Sequence, residues 1–111
     1  MPLIKNDHFN KADVRLAGIA KALAHPARIA ILRELARRNE CVCGQIVDLI
    51  PLAQSTVSQH LKALKQIGMI KGEIDGPRSC YCIDPARMTE LTALLGDFLE
   101  TVSCPCQSQC R

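Results

Sequence analysis

The spacing of apolar residues along the chain predicts its elements before any chemistry enters. Between Asp13 and Ala24, Leu16, Ile19, Ala20 and Leu23 recur three and four residues apart, the period of one helical face. His25-Pro26 breaks that pattern and opens a second helix, because Pro is tolerated in a first helical turn. In this helix Ile29, Leu32 and Leu35 form the apolar stripe. Arg33, Arg37 and Arg38 form the wet face, and Asn39-Glu40 ends it. A short helix is predicted from Gly44 to Ile50, closed by Pro51. The strongest pattern runs from Gln54 to Ile67. Val57, Leu61, Leu64 and Ile67 share one stripe, polar residues fill the rest, and Gly68 is a natural stop. The runs "MIKGEI" and "SCYCI" flank Asp75-Gly76-Pro77-Arg78 and read as a β-hairpin. Pro85 opens a last helix, with Met88, Leu91, Leu95, Phe98 and Val102 in an a/d-like seam.

A short helix, a tight turn at Pro51-Leu52-Ala53 and a longer polar-faced helix make a helix-turn-helix, and the hairpin after Gly68 adds a wing. The predicted class is therefore mainly α with a β-hairpin wing. The major groove of DNA admits one helix, whose first turns reach base edges and phosphates. Gln54, Ser55, Thr56, Ser58 and Gln59 supply donors and acceptors there, aided by Lys62, Lys65 and Arg78, with Lys71 also on the hairpin. A plain solvated helix followed by a hairpin is the bland alternative. The order helix, turn, helix, Gly, basic hairpin weighs against it.

Composition narrows the picture. A chain of 111 residues fits one domain with one modest core. Two Phe, one Tyr and no Trp favour aliphatic helix packing over an aromatic-rich sandwich. No apolar run approaches the roughly 20 residues that span a bilayer, and the first residues show no signal-peptide pattern. A cytoplasmic protein without membrane contact is expected. The formal charge of +3 permits nucleic-acid binding without demanding it. Seven cysteines cannot close as a set of intrachain disulfides. In a reducing compartment such clusters suggest metal or redox chemistry. An enzyme with a nucleophilic cysteine is disfavoured, since no acid partner, Gly-rich loop or paired carboxylates accompany the thiols. No catalytic cofactor is expected.

The segments "LAHPARIAILREL", "ECVCGQIVDLI", "LAQSTVSQHLKALKQIGMI" and "CYCID" together resemble the ArsR/SmtB family of winged-helix repressors over residues 12–102. The resemblance implies a homodimer, formed through the first and last helices, that binds double-stranded operator DNA. It further implies release when a metal, metalloid or oxidant meets a cysteine or histidine site. The apolar seam of the last helix agrees with such an interface. The division expected is a winged-helix domain over 1–103 and a Cys-rich tail over 104–111.

Within that family, Cys41-Val42-Cys43 resembles the first two cysteines of the arsenic-sensing box, and Ile46 stands where a third would be. Trivalent arsenic and antimony are soft and take up to three thiolates. A helix N-terminus at this point would keep the thiols reactive. As(III) or Sb(III) is thus the expected inducer. Either Cys41 and Cys43 suffice, as for an organoarsenical, or the tail takes part through Cys104, Cys106 and Cys110. Cys80 and Cys82 alternate on a strand and are expected to fill the wing's packing. Zinc is a weaker inducer, because the family's last-helix zinc site needs a His, and only Asp97 and Glu100 are present. His25 and His60 are expected to be structural. A thiol-redox or persulfide-sensing repressor, pairing Cys41 or Cys43 with Cys104 or Cys106, is the alternative. The strain of a disulfide between residues i and i+2 disfavours direct Cys41–Cys43 pairing.

Overall fold

The computed structural model describes residues 8–44 and 50–103. Helix α1 (Lys11–Ala22) starts earlier than its apolar pattern because Asn10 caps it: the Asn10 side-chain oxygen accepts from the Ala12 N–H at 2.7 Å. Helix α2 (Pro26–Arg38) has Pro at its first position. The His25 ring acts as N-cap, its Nδ1 accepting from the Ala27 N–H at 3.0 Å. Asn39 ends α2 in the left-handed region at φ 55°, one of the few residues besides Gly that tolerate it. Strand β1 is only Val42–Cys43. Helix α3 (Gln54–Ile67) has the predicted bounds, and Gly68 (φ 93°) turns the chain into strand β2 (Ile70–Glu73). Strand β3 (Cys80–Ile83) returns, and helix α4 (Pro85–Ser103) follows. Asp84 caps α4, its Oδ1 accepting from the Arg87 N–H at 3.1 Å.

The sheet is antiparallel with order β1-β3-β2. β3 is therefore central, and β1 covers the edge opposite β2. Gly72 lies opposite Tyr81 with φ 118°. A Cβ at Gly72 would stand 2.2 Å from the Cys80 carbonyl oxygen, so the close approach of β2 and β3 requires glycine.

The core lies where α1, α2, α3 and the sheet meet. Ile19, Ile31, Leu35, Leu64, Met69, Ile70 and Tyr81 are its largest fully buried side chains. The buried stripe of α2 is Ala27, Ile31 and Leu35 rather than Ile29, Leu32 and Leu35. Residues four apart line up toward α3 and β3, which leaves Ile29 and Leu32 half-buried at the margin. In α3, Val57, Leu61 and Leu64 are buried as expected, and Ile67 is half-buried. Helix α4 is embedded only at Leu91, with Met88, Leu94 and Leu95 resting on the core. Its second half leaves Phe98, Leu99 and Val102 exposed at 44%, 52% and 55%. Among the described residues, no helix is long and apolar enough to cross a membrane.

One expectation lies outside the described residues and one changes. The short helix over Gly44 to Ile50 falls on residues 45–49, outside the described residues. Cys41-Val42-Cys43 is itself not helical. It leads into and forms β1, because Val42 finds a hydrogen-bonding partner strand in β3 and a place in the core.

Candidate nucleic-acid interface and thiol face

Helix α3 is oriented by its buried side. His60 is nearly enclosed at 7% exposure, and its ring lies 4.4 Å from that of His25, centroid to centroid. Arg28 donates from Nε to His60 Nδ1 at 3.0 Å, and from Nη1 to the carbonyls of Lys21 and Ala22. One guanidinium thus ties the end of α1, the start of α2 and the middle of α3. Burial pushes the His60 pKa down, and the neighbouring His25 and Arg28 push it further the same way. With Nδ1 accepting a hydrogen bond, His60 is a structural histidine, as is the helix-capping His25.

The opposite face of α3 carries the residues assigned to DNA. Gln54, Ser55, Gln59, Lys62 and Lys65 are exposed, while Thr56 and Ser58 are half-buried at its flanks. Ala53 provides no side-chain cap, so the first N–H groups of α3 stay open to an anionic oxygen. Arg78 and Lys71 are exposed on the wing. The sequence reading missed Asp75. Its Oδ1 accepts from Ser58 Oγ at 3.3 Å, and its Oδ2 pairs with Lys62 Nζ at 3.1 Å. A small notch of about 90 Å³ between α3 and the wing is lined by Gln54, Ser58, Asp75 and Gly76. The wing tip therefore holds an acid against two residues of the DNA face. Asp75 drew notice in the sequence only as a turn former.

The thiols are arranged differently from the expectation. β1 pairs with β3 so that Val42 opposes Tyr81 and Cys43 opposes Cys80; Cys41 then faces Cys82. Val42 and Tyr81 point into the core, and all four cysteines occupy the other face. The Gly44 N–H donates to the Ser79 carbonyl, which marks a hydrogen-bonded position. The alternation of an antiparallel ladder then puts both cysteine pairs at non-hydrogen-bonded positions, where opposed side chains lie closest. Cα separations are 4.3 Å for Cys41–Cys82 and 4.0 Å for Cys43–Cys80, and each pair is bonded through sulfur. Cys80 and Cys82 are thus not wing filler. They are half-buried partners of exposed Cys41 and Cys43. The strain of an i to i+2 disulfide does not arise, because Cys41 and Cys43 each pair with a cysteine of β3. The signal was present in the sequence as two Cys-x-Cys runs of strand period. Cys104, Cys106 and Cys110 lie outside the described residues. Among the described residues, no group of three or more His, Cys, Asp or Glu is placed to hold one metal ion.

A buried-backed helix with an open N-terminus, a polar outer face and a two-stranded wing that exposes Lys71 and Arg78 define a winged helix-turn-helix DNA-binding protein. The comparisons narrow the class. The model of the bacterial regulatory protein arsR family matches residues 25–71, from α2 into β2. An HTH-type transcriptional regulator of Methanocaldococcus jannaschii is 36% identical over 84 residues, covering 75% of this chain and 93% of the relative. The cadmium resistance transcriptional regulatory protein CadC of Listeria innocua is 32% identical, covering 89% of this chain and 90% of the relative. The transcriptional repressor SmtB of Mycobacterium tuberculosis is 43% identical over 63 residues, 57% of this chain and 46% of that one. A solved ArsR family transcriptional regulator superposes with a TM-score of 0.66 at 25% identity, covering 81% of this chain and 92% of that one. The chain belongs to the ArsR/SmtB family of winged-helix transcriptional regulators. These relatives and this fold are those of regulators, not enzymes.

Proposed function

We propose that the chain is a cytoplasmic, homodimeric repressor that leaves its operator when trivalent arsenic or antimony binds its cysteine thiolates. In this reading two α3 helices enter successive major grooves. Gln54, Ser55, Thr56, Ser58 and Gln59 meet bases and phosphates, and Lys62, Lys65 and Arg78 meet the backbone. Exposed Phe98, Leu99 and Val102 on α4 supply the apolar surface for the dimer. Cys41 and Cys43 are the inducer ligands, with Cys104, Cys106 and Cys110 as further donors.

The observation that carries the reading is the position of Cys41 and Cys43. They are exposed, stand opposite Cys82 and Cys80 of the wing strand, and lie close in sequence to the start of α3; reduction of the two cross-strand pairs frees their thiols. A ligand that draws on these sulfurs acts at the junction of recognition helix and wing, and a coupling of about 1–3 kcal/mol suffices for a switch. Zinc, expected to be a weaker inducer because the last helix has Asp97 and Glu100 but no His, stays among the candidates. A relative named for cadmium resistance keeps divalent thiophilic ions in view. The cross-strand pairs favour a second reading, a thiol-redox repressor, because each pair stands where oxidation closes a disulfide.

The test is operator binding by reduced protein, followed by fluorescence anisotropy while arsenite, antimonite, cadmium, zinc and a hydroperoxide are added separately. Release by arsenite or antimonite, abolished in Cys41→Ser/Cys43→Ser, is the expected outcome. Release by the hydroperoxide alone would replace the metalloid reading with the redox one.

A further inference from the structure

The thiol face continues across the whole sheet, and its two rows are not equivalent. Lys71 of β2 opposes Cys82, and Glu73 opposes Cys80. Directly opposed residues share a face, so one row reads Cys41, Cys82, Lys71 and the other Cys43, Cys80, Glu73. An ammonium beside a thiol favours its reactive thiolate form, and a carboxylate disfavours it. The first row also lines a cleft of about 420 Å³, walled by apolar Leu35, Ile83 and Pro85 and by polar Asn39 and Glu40. Neighbouring positions on one strand face are about 7 Å apart, so the two rows act as separate dithiols rather than as one cluster.

We propose that reduced Cys41 and Cys82 form a cross-strand dithiol site for a monosubstituted trivalent arsenical, with its organic substituent lodged in the adjoining cleft. The proposal rests on the metalloid-responsive reading above and revises its ligand set: Cys41 stays a ligand, and Cys82 takes the place given there to Cys43. The ligand class follows from counting donors. A species R–As(OH)2 has two exchangeable oxygens, and the row offers two sulfurs. Two As–O bonds break, two As–S bonds form, and the thiol protons leave with the hydroxides as two molecules of water. Arsenic stays trivalent, so no oxidant or reductant is needed. Inorganic arsenite on the same two sulfurs keeps one hydroxyl and gains nothing from the apolar wall. The bridged product staples β1 to the wing strand on the route into α3, which is where a signal has to arrive. Lys71 is a positioning residue in this scheme, holding positive charge beside the attacking sulfur.

The experiment uses the full-length chain, reduced and freed of reductant, with one equivalent of phenylarsine oxide as probe. Thiols left free are alkylated and mapped by peptide mass spectrometry. Protection of Cys41 and Cys82 together, with Cys43, Cys80, Cys104, Cys106 and Cys110 alkylated, is the expected result. Cys41→Ser and Cys82→Ser should each weaken uptake on the order of 100-fold, because the second sulfur no longer closes the ring. Cys43→Ser should not. Lys71→Gln should slow loading without changing which thiols are protected. Bridging of Cys41 with Cys43, or of any two tail cysteines, overturns the proposal, and the wild-type map gives that answer even if a variant misfolds. Operator release is read in parallel. Protection of Cys41 and Cys82 without release supports this site but sinks the metalloid-responsive function. Release with bridging elsewhere sinks the site and leaves the function standing. No uptake sinks both.

Discussion

Replacing Asp75 by Asn should tighten operator binding. Its carboxylate accepts from Ser58 at 3.3 Å and holds Lys62 at 3.1 Å, on the face of α3 that meets DNA. The two side chains are 55% (Lys62) and 61% (Asp75) exposed. Water therefore screens the pair, and it contributes only about 0.2–1 kcal/mol to folding. Asp75→Asn should accordingly leave thermal stability almost unchanged. On DNA the balance differs. The freed Lys62 can neutralise a phosphate, and one negative charge facing the duplex is gone. Each additional phosphate contact steepens the dependence of log K on log salt by about 0.9, or about 1.8 for two subunits. If the full ~1 kcal/mol of the competing pair is recovered in each subunit, affinity rises roughly 30-fold for the dimer. Anisotropy titrations of a labelled operator across a potassium chloride series measure both quantities. Lys62→Gln should do the reverse, weakening binding and flattening the slope. If Asp75→Asn leaves the slope unchanged or weakens binding, Asp75 does not compete with phosphate for Lys62. Its role would then be to hold the wing against α3.

Other measurements follow from the packing. His60 has a folded-state pKa below the ordinary 6.5, so the unfolded chain takes up its proton more readily. Stability should be full above about pH 6.5 and fall as pH drops toward the lowered native value, and His60→Leu should flatten that decline in thermal melts. Gly72→Ala places a Cβ 2.2 Å from the Cys80 carbonyl oxygen at φ 118°. It should cost about 2 kcal/mol or more, with loss of hydrogen-exchange protection confined to the wing. Phe98→Glu, at a residue 44% exposed, should leave the monomer folded but shift a dimer toward monomer in sedimentation equilibrium. An unchanged assembly state would remove the second half of α4 from the interface.

Local signals determined much of this protein. The spacing of Val57, Leu61 and Leu64, with Gly68 at the end, placed α3 to the residue, because a fourteen-residue amphipathic helix repeats its pattern several times over. Pro26, Asp75-Gly76 and Pro85 likewise marked where elements begin and turn, since they act through their own backbone. The polar face of α3 was legible for the same reason. Long-range pairing was not. β1 has two residues, too few to show a period, and its identity as a strand comes from Tyr81, thirty-nine positions away in sequence. The sequence displayed Cys41, Cys43, Cys80 and Cys82 as two separate runs. Only the register of β1 on β3 brought them onto one face, and only the register of β2 on β3 gave one row a lysine and the other a glutamate. Asp75 shows the same division: its turn was readable, but its hold on Lys62 depends on how the wing folds back over α3. Strand pairing and wing placement are set by which faces can be buried together. That is a property of the assembled core, not of any short window of sequence.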